Sequence, residues 1–126
     1  MIDVHFILYV RDQGRSRGFY EAVLGDTPHL DVPGMTQFVL PGGVLLGLMP
    51  EAGIERLLPS LDTGTSATAR AELYLLCDDL DAAVERARSA GAELLSEASE
   101  RSWGDRVAYL RDLDGHVLAL ASAVSR

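Results

Sequence analysis

The sequence predicts an α+β fold made of two tandem βαβββ modules. A pattern of one strand, one helix and three further strands occurs twice along the chain, and this internal repeat decides the fold class. The chain has 126 residues, a length that suits one structural domain with two small halves. Hydrophobic residues make up 48% of it and charged residues 24%, which is enough apolar material for a packed interior. We expect the first module over residues 1–50, a linker over 51–70 and the second module over 71–126.

The first module opens with a strand rich in β-branched and aromatic residues. The helix after it carries an apolar stripe at Phe19, Val23 and Leu24. Gly18 lowers the helix propensity of its interior. Gly25 stands where a residue in the left-handed conformation would end the helix. The predicted strands of this module are residues 4–10, 27–32, 35–40 and 44–49.

The second module repeats this order with a clearer helix. Leu80, Val84 and Ala87 recur at helical spacing. We expect Asp81 to cap the start of this helix and Gly91 to end it. The predicted strands are residues 71–77, 93–96, 106–111 and 116–121.

The linker between the modules has two parts. Residues 54–58 are predicted to form a helical turn before Pro59, and residues 62–69 are small and polar without periodicity. A connection this long is unusual inside a compact domain, and it suits a chain that passes from one half to an equivalent second half.

Composition excludes several classes of protein. The formal net charge is -8 with the few arginines scattered among acids, whereas a nucleic-acid binder needs clustered Lys and Arg. No apolar run approaches the ~20 residues that span a membrane, and the N-terminus lacks the basic start and apolar stretch of a secretion signal. The single cysteine, Cys77, cannot form an internal disulfide or a Cys-based zinc cluster. We therefore expect a cytoplasmic protein without a nucleic-acid or membrane partner.

Several short motifs together cover nearly the whole chain. They are residues 5–12, Phe19-Tyr20 with Leu24-Gly25, residues 78–81, and Trp103-Gly104 followed by residues 112–116. In these motifs the chain resembles the vicinal oxygen chelate superfamily, which contains glyoxalase I, extradiol dioxygenases, fosfomycin resistance proteins and bleomycin-binding resistance proteins. The resemblance implies two βαβββ modules whose sheets curl into a concave cleft, and it implies a homodimer. It also implies that metal-using members hold a divalent ion with ligands from the first and last strands of both modules.

Alternation of side chains sorts the first strand into two faces. We expect Phe6, Leu8 and Val10 to pack under the first helix. That leaves His5, Ile7 and Tyr9 facing the cleft.

The same alternation identifies what stands at the four ligand positions implied by the resemblance. They carry His5, Gly47, Glu72 and Ala119. Only His5 and Glu72 have donor atoms, whereas a catalytic divalent site generally needs about three protein ligands. A non-haem iron triad needs two histidines and one carboxylate. We therefore expect no cofactor, with a divalent metal as the alternative.

His5 and Glu72 are the candidate catalytic pair. They align when the two repeats are superposed on Asp12 and Asp79, and we expect them to meet in the cleft floor. Glu72 would raise the basicity of His5 and make it a general base or a ligand anchor. The alternative is a structural ion pair left where an ancestor held metal.

The remaining histidines and acids have simpler interpretations. His116 follows a turn and is predicted to be structural, while the orientation of His29 stays open. Asp112 and Asp114 belong to that tight turn, and the acids at 78–81 suit helix capping.

Four aromatic residues are the candidate ligand contacts. Tyr9 and Tyr74 face the cleft by alternation, and Trp103 and Tyr109 lie on or near the third strand of the second module. Aromatic side chains with one polar tip suit planar organic ligands. The alternative is ordinary packing under the linker.

The function predicted first is binding or sequestration of a small organic ligand, without the full metal site of the family. The second candidate is a divalent-metal-dependent lyase, isomerase or dioxygenase that uses His5 and Glu72. The third is an interaction module with a vestigial cleft.

Overall fold

The computed structural model describes residues 3–60, 62–63 and 71–123. The chain divides into two compact units, Met1–Thr65 and Ser66–Arg126. Each unit has the predicted order of one strand, one helix and three strands. The predicted α+β fold with two βαβββ modules is therefore confirmed. The module boundaries at residues 50 and 71 stay predictions.

The first unit is a four-stranded sheet with two helices. Its strands lie in the order β1-β4-β3-β2, with β1 parallel to β4 and the other neighbours antiparallel. Its elements are β1 His5–Val10, α1 Gln13–Leu24, β2 Leu30–Val32, β3 Met35–Val39, β4 Leu45–Pro50 and α2 Glu51–Leu57.

Helix α1 begins and ends through local chemistry. The Asp12 carboxylate accepts a hydrogen bond from the backbone N–H of Arg15 at 3.0 Å, and this bond satisfies one unpaired amide of the first turn. Gly25 ends the helix with φ 67°, the left-handed conformation that favours glycine. The buried side chains of α1 pack on β3 and β4. The core on this side of the sheet is formed by Phe19, Tyr20, Val23, Phe38, Leu46 and Leu48.

Phe6 does not pack under α1 as predicted. Its side chain is 61% exposed, whereas Val10 is buried and Leu8 is half-buried. The reason is the position of β1, which is an outer strand of its sheet, while α1 covers the inner strand β4 and its neighbour β3. Alternation along a strand fixes which side chains share a face, but not how far a helix covers that face.

A polar clamp fastens α1 to the β2–β3 hairpin. The Gln13 amide group donates to the Val32 carbonyl at 2.8 Å and to the Thr36 hydroxyl at 2.9 Å. Its oxygen accepts from the N–H of Gly34 at 3.0 Å. One turn further along α1, Arg17 pairs with Asp31 at 2.5 Å. The Arg17 guanidinium holds the pKa of the Asp31 carboxyl below its usual value.

The second unit is a four-stranded sheet with one helix. Its strands lie in the order β5-β8-β7-β6, the same arrangement as in the first unit, with β5 parallel to β8. Its elements are β5 Glu72–Leu76, α3 Leu80–Ser89, β6 Glu93–Glu100, β7 Asp105–Arg111 and β8 Val117–Ala123.

The prediction that Asp81 caps α3 is wrong. The capping residue is Asp79, whose extended backbone places its carboxylate 3.1 Å from the N–H of Ala82. Asp81 lies in the first turn, where a negative charge meets the positive end of the helix dipole. Gly91 follows the last turn with φ 112°, as a residue that closes a helix does.

The predicted linker contains more helix than expected. The turn predicted at 54–58 is part of the seven-residue helix α2, which begins directly after β4. Most of the loop predicted at 62–69 lies outside the described residues. Among the helices that are described, none is long and apolar enough to cross a membrane.

Candidate functional site

Each sheet has a face turned away from its βαβββ helix, and we call it the back face. In the first unit, Leu46 and Leu48 are buried on the α1 side, so Gly47 between them belongs to the back face. Gly47 pairs with Ile7 on β1 and Gln37 on β3. This back face is largely apolar, and its exposed apolar side chains are Ile7, Tyr9, Leu30, Val32 and Val39.

Gly47 stands at a crowded point of the back face. A Cβ atom added to it would lie 3.1 Å from the Met35 sulfur and 3.2 Å from Cγ1 of Ile7. Both distances are shorter than an ordinary van der Waals contact, so these two side chains already occupy the space above the glycine. A longer side chain at this position would have to displace them.

The side chains around Ala119 on the back face of the second unit are aromatic, whereas those around Gly47 on the first are aliphatic. Tyr74 on β5, Ala119 on β8 and Tyr109 on β7 form one row across the sheet. Ala119 is fully buried together with Val107 and Ala121, and both tyrosines pack against this cluster. The position that aligns with Gly47 is therefore closed by two rings.

A chain of hydrogen bonds ties three side chains of this face together. The Tyr74 hydroxyl donates to Oδ2 of Asp105 at 2.5 Å, and the indole N–H of Trp103 donates to the Tyr74 oxygen at 3.0 Å. Asp105 is only 1% exposed, whereas Trp103 is 54% exposed. A hydroxyl bond to a carboxylate is among the stronger hydrogen bonds in proteins. The chain thus runs from a buried carboxylate to an exposed indole ring.

Arg101 supports the second tyrosine. Its guanidinium carbon lies 5.1 Å from the centroid of the Tyr109 ring, within the range of a cation–π contact. One guanidinium nitrogen also donates to the Ser96 hydroxyl at 3.0 Å and to the Val107 carbonyl at 3.0 Å. Arg101 therefore joins the irregular strand β6 to β7 beside the Tyr109 ring.

Sequence reasoning missed both Arg101 and Asp105. They alternate with Trp103 along the chain, a spacing that would place all three side chains on one face of an extended strand. The alternation is informative only if the segment stays extended, and here a turn with Gly104 at φ 96° separates β6 from β7.

The candidate catalytic residues lie in different units. His5 is the first residue of β1 and Glu72 the first residue of β5, and both are exposed. Their pairing stays a prediction. Within residues 3–60, 62–63 and 71–123, no group of three or more His, Cys, Asp or Glu side chains could hold a metal ion.

His116 and Asp112 form a turn, in agreement with their predicted structural role. The Asp112 side chain accepts bonds from the N–H groups of Asp114 at 2.9 Å and His116 at 2.8 Å. Its second oxygen lies 2.8 Å from Nδ1 of the His116 ring. His29 is exposed and precedes β2, where its N–H donates to the Gln37 carbonyl at 2.7 Å.

Residues 4–120 match the Glyoxalase/Bleomycin resistance protein/Dioxygenase superfamily. The chain belongs to this superfamily. The resemblance to the vicinal oxygen chelate proteins is thereby confirmed.

Individual relatives agree with this assignment. The chain is 27% identical over 115 residues to a protein described as uncharacterized, YetH of Bacillus subtilis (strain 168), and covers 91% of it. That alignment includes 90% of the present chain.

Two solved structures show the same fold. A glyoxalase-related enzyme from Fulvimarina pelagi superposes with a TM-score of 0.81 at 20% identity, over 94% of this chain and 86% of that one. A glyoxalase/bleomycin resistance protein/dioxygenase family enzyme from Burkholderia phytofirmans PsJN gives a TM-score of 0.81 at 19% identity, over 94% of this chain and 96% of that one. At these identities the likeness concerns the fold and not the activity.

Proposed function

We propose that this protein binds a small organic ligand and lacks the complete metal site of the family. The observation that carries the proposal is the closure of two of the four ligand positions. The side chains of Ile7 and Met35 occupy the space above Gly47. Ala119 is buried, and Tyr74 packs against the apolar cluster to which Ala119 belongs.

The donor set does not fit a divalent ion held in the usual way. His5 and Glu72 supply two donors, and a catalytic divalent site generally needs about three from the protein. Gly47 and Ala119 have no side-chain donor, and the space around each is taken by neighbouring side chains. We therefore derive no metal-dependent step for this chain.

The aromatic residues support a binding function. Tyr9 and Trp103 are 36% and 54% exposed, although large aromatic side chains are usually more buried. Tyr74 and Tyr109 line the same back face as Trp103 and are half-buried. Exposed apolar surface of this kind is typical of ligand sites, and planar organic molecules suit it.

The experiment that tests the proposal combines metal analysis with thermal shift. We expect purified protein to contain no stoichiometric metal, and nickel, zinc, manganese and ferrous iron to leave the melting temperature unchanged. A panel of aromatic antibiotics and metabolites should contain compounds that raise it, because binding to the native state stabilises that state.

Two results would contradict the proposal. Stoichiometric metal, or strong stabilisation by one ion that is lost in His5→Ala and Glu72→Ala, would favour a metal-dependent lyase, isomerase or dioxygenase. A melting temperature that no compound raises would favour an interaction module with a vestigial cleft. Asp78→Asn, an exposed carboxylate outside the proposed site, is the matched control for metal binding at the surface.

We also propose that the protein is a cytoplasmic homodimer. The superfamily resemblance supports the dimer, and exposed apolar side chains such as Phe6 and Leu57, 61% and 68% exposed, are consistent with it. A free cysteine suits a reducing compartment. Burial raises the pKa of the Cys77 thiol, which keeps it protonated and poorly reactive.

A further inference from the structure

We propose that Asp105 and Tyr74 are positioning residues that preset the ring of Trp103, so that a ligand is recognised there by stacking on the indole face. The stacking part rests on the proposed function, since it assumes a ligand at this site. The positioning part depends only on the contacts within the second unit.

The hydrogen-bonding capacity of the two aromatic tips is already used. An indole has a single donor, and that of Trp103 points at the Tyr74 oxygen, 3.0 Å away. A phenol also has a single donor, and that of Tyr74 points at Asp105, 2.5 Å away. Neither ring therefore has an N–H or O–H left to offer a ligand. What Trp103 offers is the surface of its ring.

The anchor of this chain is well suited to hold an exposed ring. An exposed side chain normally samples several rotamers, and Trp103 is 54% exposed. Its hydrogen bond leads through Tyr74 to a carboxylate that is 1% exposed and therefore held by its surroundings. A hydrogen bond at a buried site is stronger than one in water, because the surrounding dielectric constant is lower.

The backbone around Trp103 is also held by hydrogen bonds within a turn. The N–H of Arg101 donates to the Asp105 carbonyl at 2.9 Å, and the N–H of Gly104 donates to the Arg101 carbonyl at 3.1 Å. Gly104 has φ 96°, a conformation that other residues rarely adopt. Trp103 is thus fixed at its backbone by the turn and at its ring nitrogen by Tyr74.

A preset ring binds more tightly than a mobile one. Immobilising a side chain on binding has an entropic cost, and a ring that is already held avoids it. Loss of the anchor is expected to weaken stacking by about 2- to 10-fold.

Time-resolved fluorescence anisotropy tests the positioning without any ligand. Trp103 is the single tryptophan of the chain, so the emission reports this ring alone. The wild-type protein should show a decay dominated by overall tumbling. Tyr74→Phe, which removes one hydroxyl, and Asp105→Asn should each add a fast subnanosecond component. Asp78→Asn should resemble the wild type.

The result is interpretable even if a variant loses stability. Tyr74→Phe keeps the ring that packs against Ala119, and its folding is checked by circular dichroism and thermal melting. A folded Tyr74→Phe protein whose anisotropy decay equals that of the wild type would overturn the positioning. So would a wild-type ring that already moves freely.

A second measurement tests stacking with proflavine, a planar aromatic cation, as the probe. Trp103→Phe keeps a ring but loses the N–H that anchors it to Tyr74, so it should bind proflavine about 2- to 10-fold more weakly than the wild type, whereas Trp103→Ala, which has no ring, should lose more than about 10-fold. Equal losses in both variants would show that the ring of the Phe variant contributes nothing and would overturn recognition by the face. Absence of proflavine binding to the wild type would overturn the stacking part, while the anisotropy result decides the positioning separately.

Discussion

At the scale of single residues, Gly47 shows how one position decides the chemistry of a sheet face. Its backbone conformation does not require glycine, since it carries none of the positive φ angles found at turn glycines. What requires glycine is space, because Met35 and Ile7 approach the missing Cβ to 3.1 and 3.2 Å. Metal coordination by a side chain at position 47 is therefore excluded by packing as well as by the absence of donor atoms.

Substitutions at Gly47 should follow side-chain size. Gly47→Ala places one methyl group close to both the Met35 sulfur, which can move, and Cγ1 of Ile7, and the stability should change by less than about 1 kcal/mol. Gly47→Val adds two further methyl groups at the same crowded point and should destabilise by about 1–3 kcal/mol. Urea unfolding measures both. Gly18→Ala, on an exposed helix position with nothing within 4 Å, should instead stabilise, and a loss of stability there would contradict this interpretation of both sites.

A second residue-scale prediction concerns pH. The hydrogen bonds from Arg17 and Thr36 to Asp31 lower the pKa of its carboxyl from the ordinary value of 3.8. A carboxyl with a lowered pKa stabilises the fold fully above that ordinary value, and the stabilisation is lost as the pH falls toward its folded pKa. Asp31→Asn should therefore flatten the dependence of stability on pH below about 4.

Acid titrations of the melting temperature measure this effect. Asp78→Asn, which removes an exposed carboxylate elsewhere, is the matched control and should keep the wild-type slope. An Asp31→Asn protein with the wild-type slope would show that the Arg17 pair is not responsible.

At the scale of elements, the two modules begin their helices in the same way. Asp12 bonds the N–H of Arg15, and Asp79 bonds the N–H of Ala82, each three residues ahead. Superposing the two repeats pairs Asp12 with Asp79, yet the sequence predicts Asp81 as the cap of the second helix. Residue type does not distinguish two acids that lie close together near the start of a helix. The capping residue is the one whose backbone is still extended, and here that residue is Asp79.

The caps can be compared directly by mutation. Asp79→Ala removes a hydrogen bond and a favourable charge and should destabilise the protein by about 1 kcal/mol. Asp81→Ala loses only a charge near the helix start and should cost about 0.3 kcal/mol. Thermal melting separates the two values. A larger loss for Asp81→Ala would show that the capping role is assigned to the wrong aspartate.

At the scale of the whole molecule, the sequence predicted the architecture of both units because the relevant signals are local. Strand alternation, helix spacing and turn glycines are readable in short windows, and alternation predicts that Tyr74 and Ala119 share a face, in agreement with their pairing in the sheet. The partners of Tyr74 were not predictable in this way. Asp105 meets Tyr74, and Arg101 meets Tyr109 in the same row, only through a turn and the bulges of β6, which bring distant parts of the chain to one face.

The homodimer is the prediction that belongs to this scale. Light scattering during size-exclusion chromatography should give twice the chain mass of 13.6 kDa. Dilution of the sample gives the stability of the association, because a weak dimer dissociates at low concentration. A mass equal to one chain at every concentration would contradict the dimer.

The tyrosines over Ala119 also set the order in which this sheet could be re-engineered. A carboxylate installed at that alanine would sit in a fully enclosed apolar cluster, and an uncompensated charge there carries a desolvation penalty of several kcal/mol. Anyone who wishes to build a metal centre into this protein should trim Tyr74 or Tyr109 first and add the acid afterwards. If the acid were introduced first, the resulting variant would be unstable, so the tyrosine substitutions should come before it.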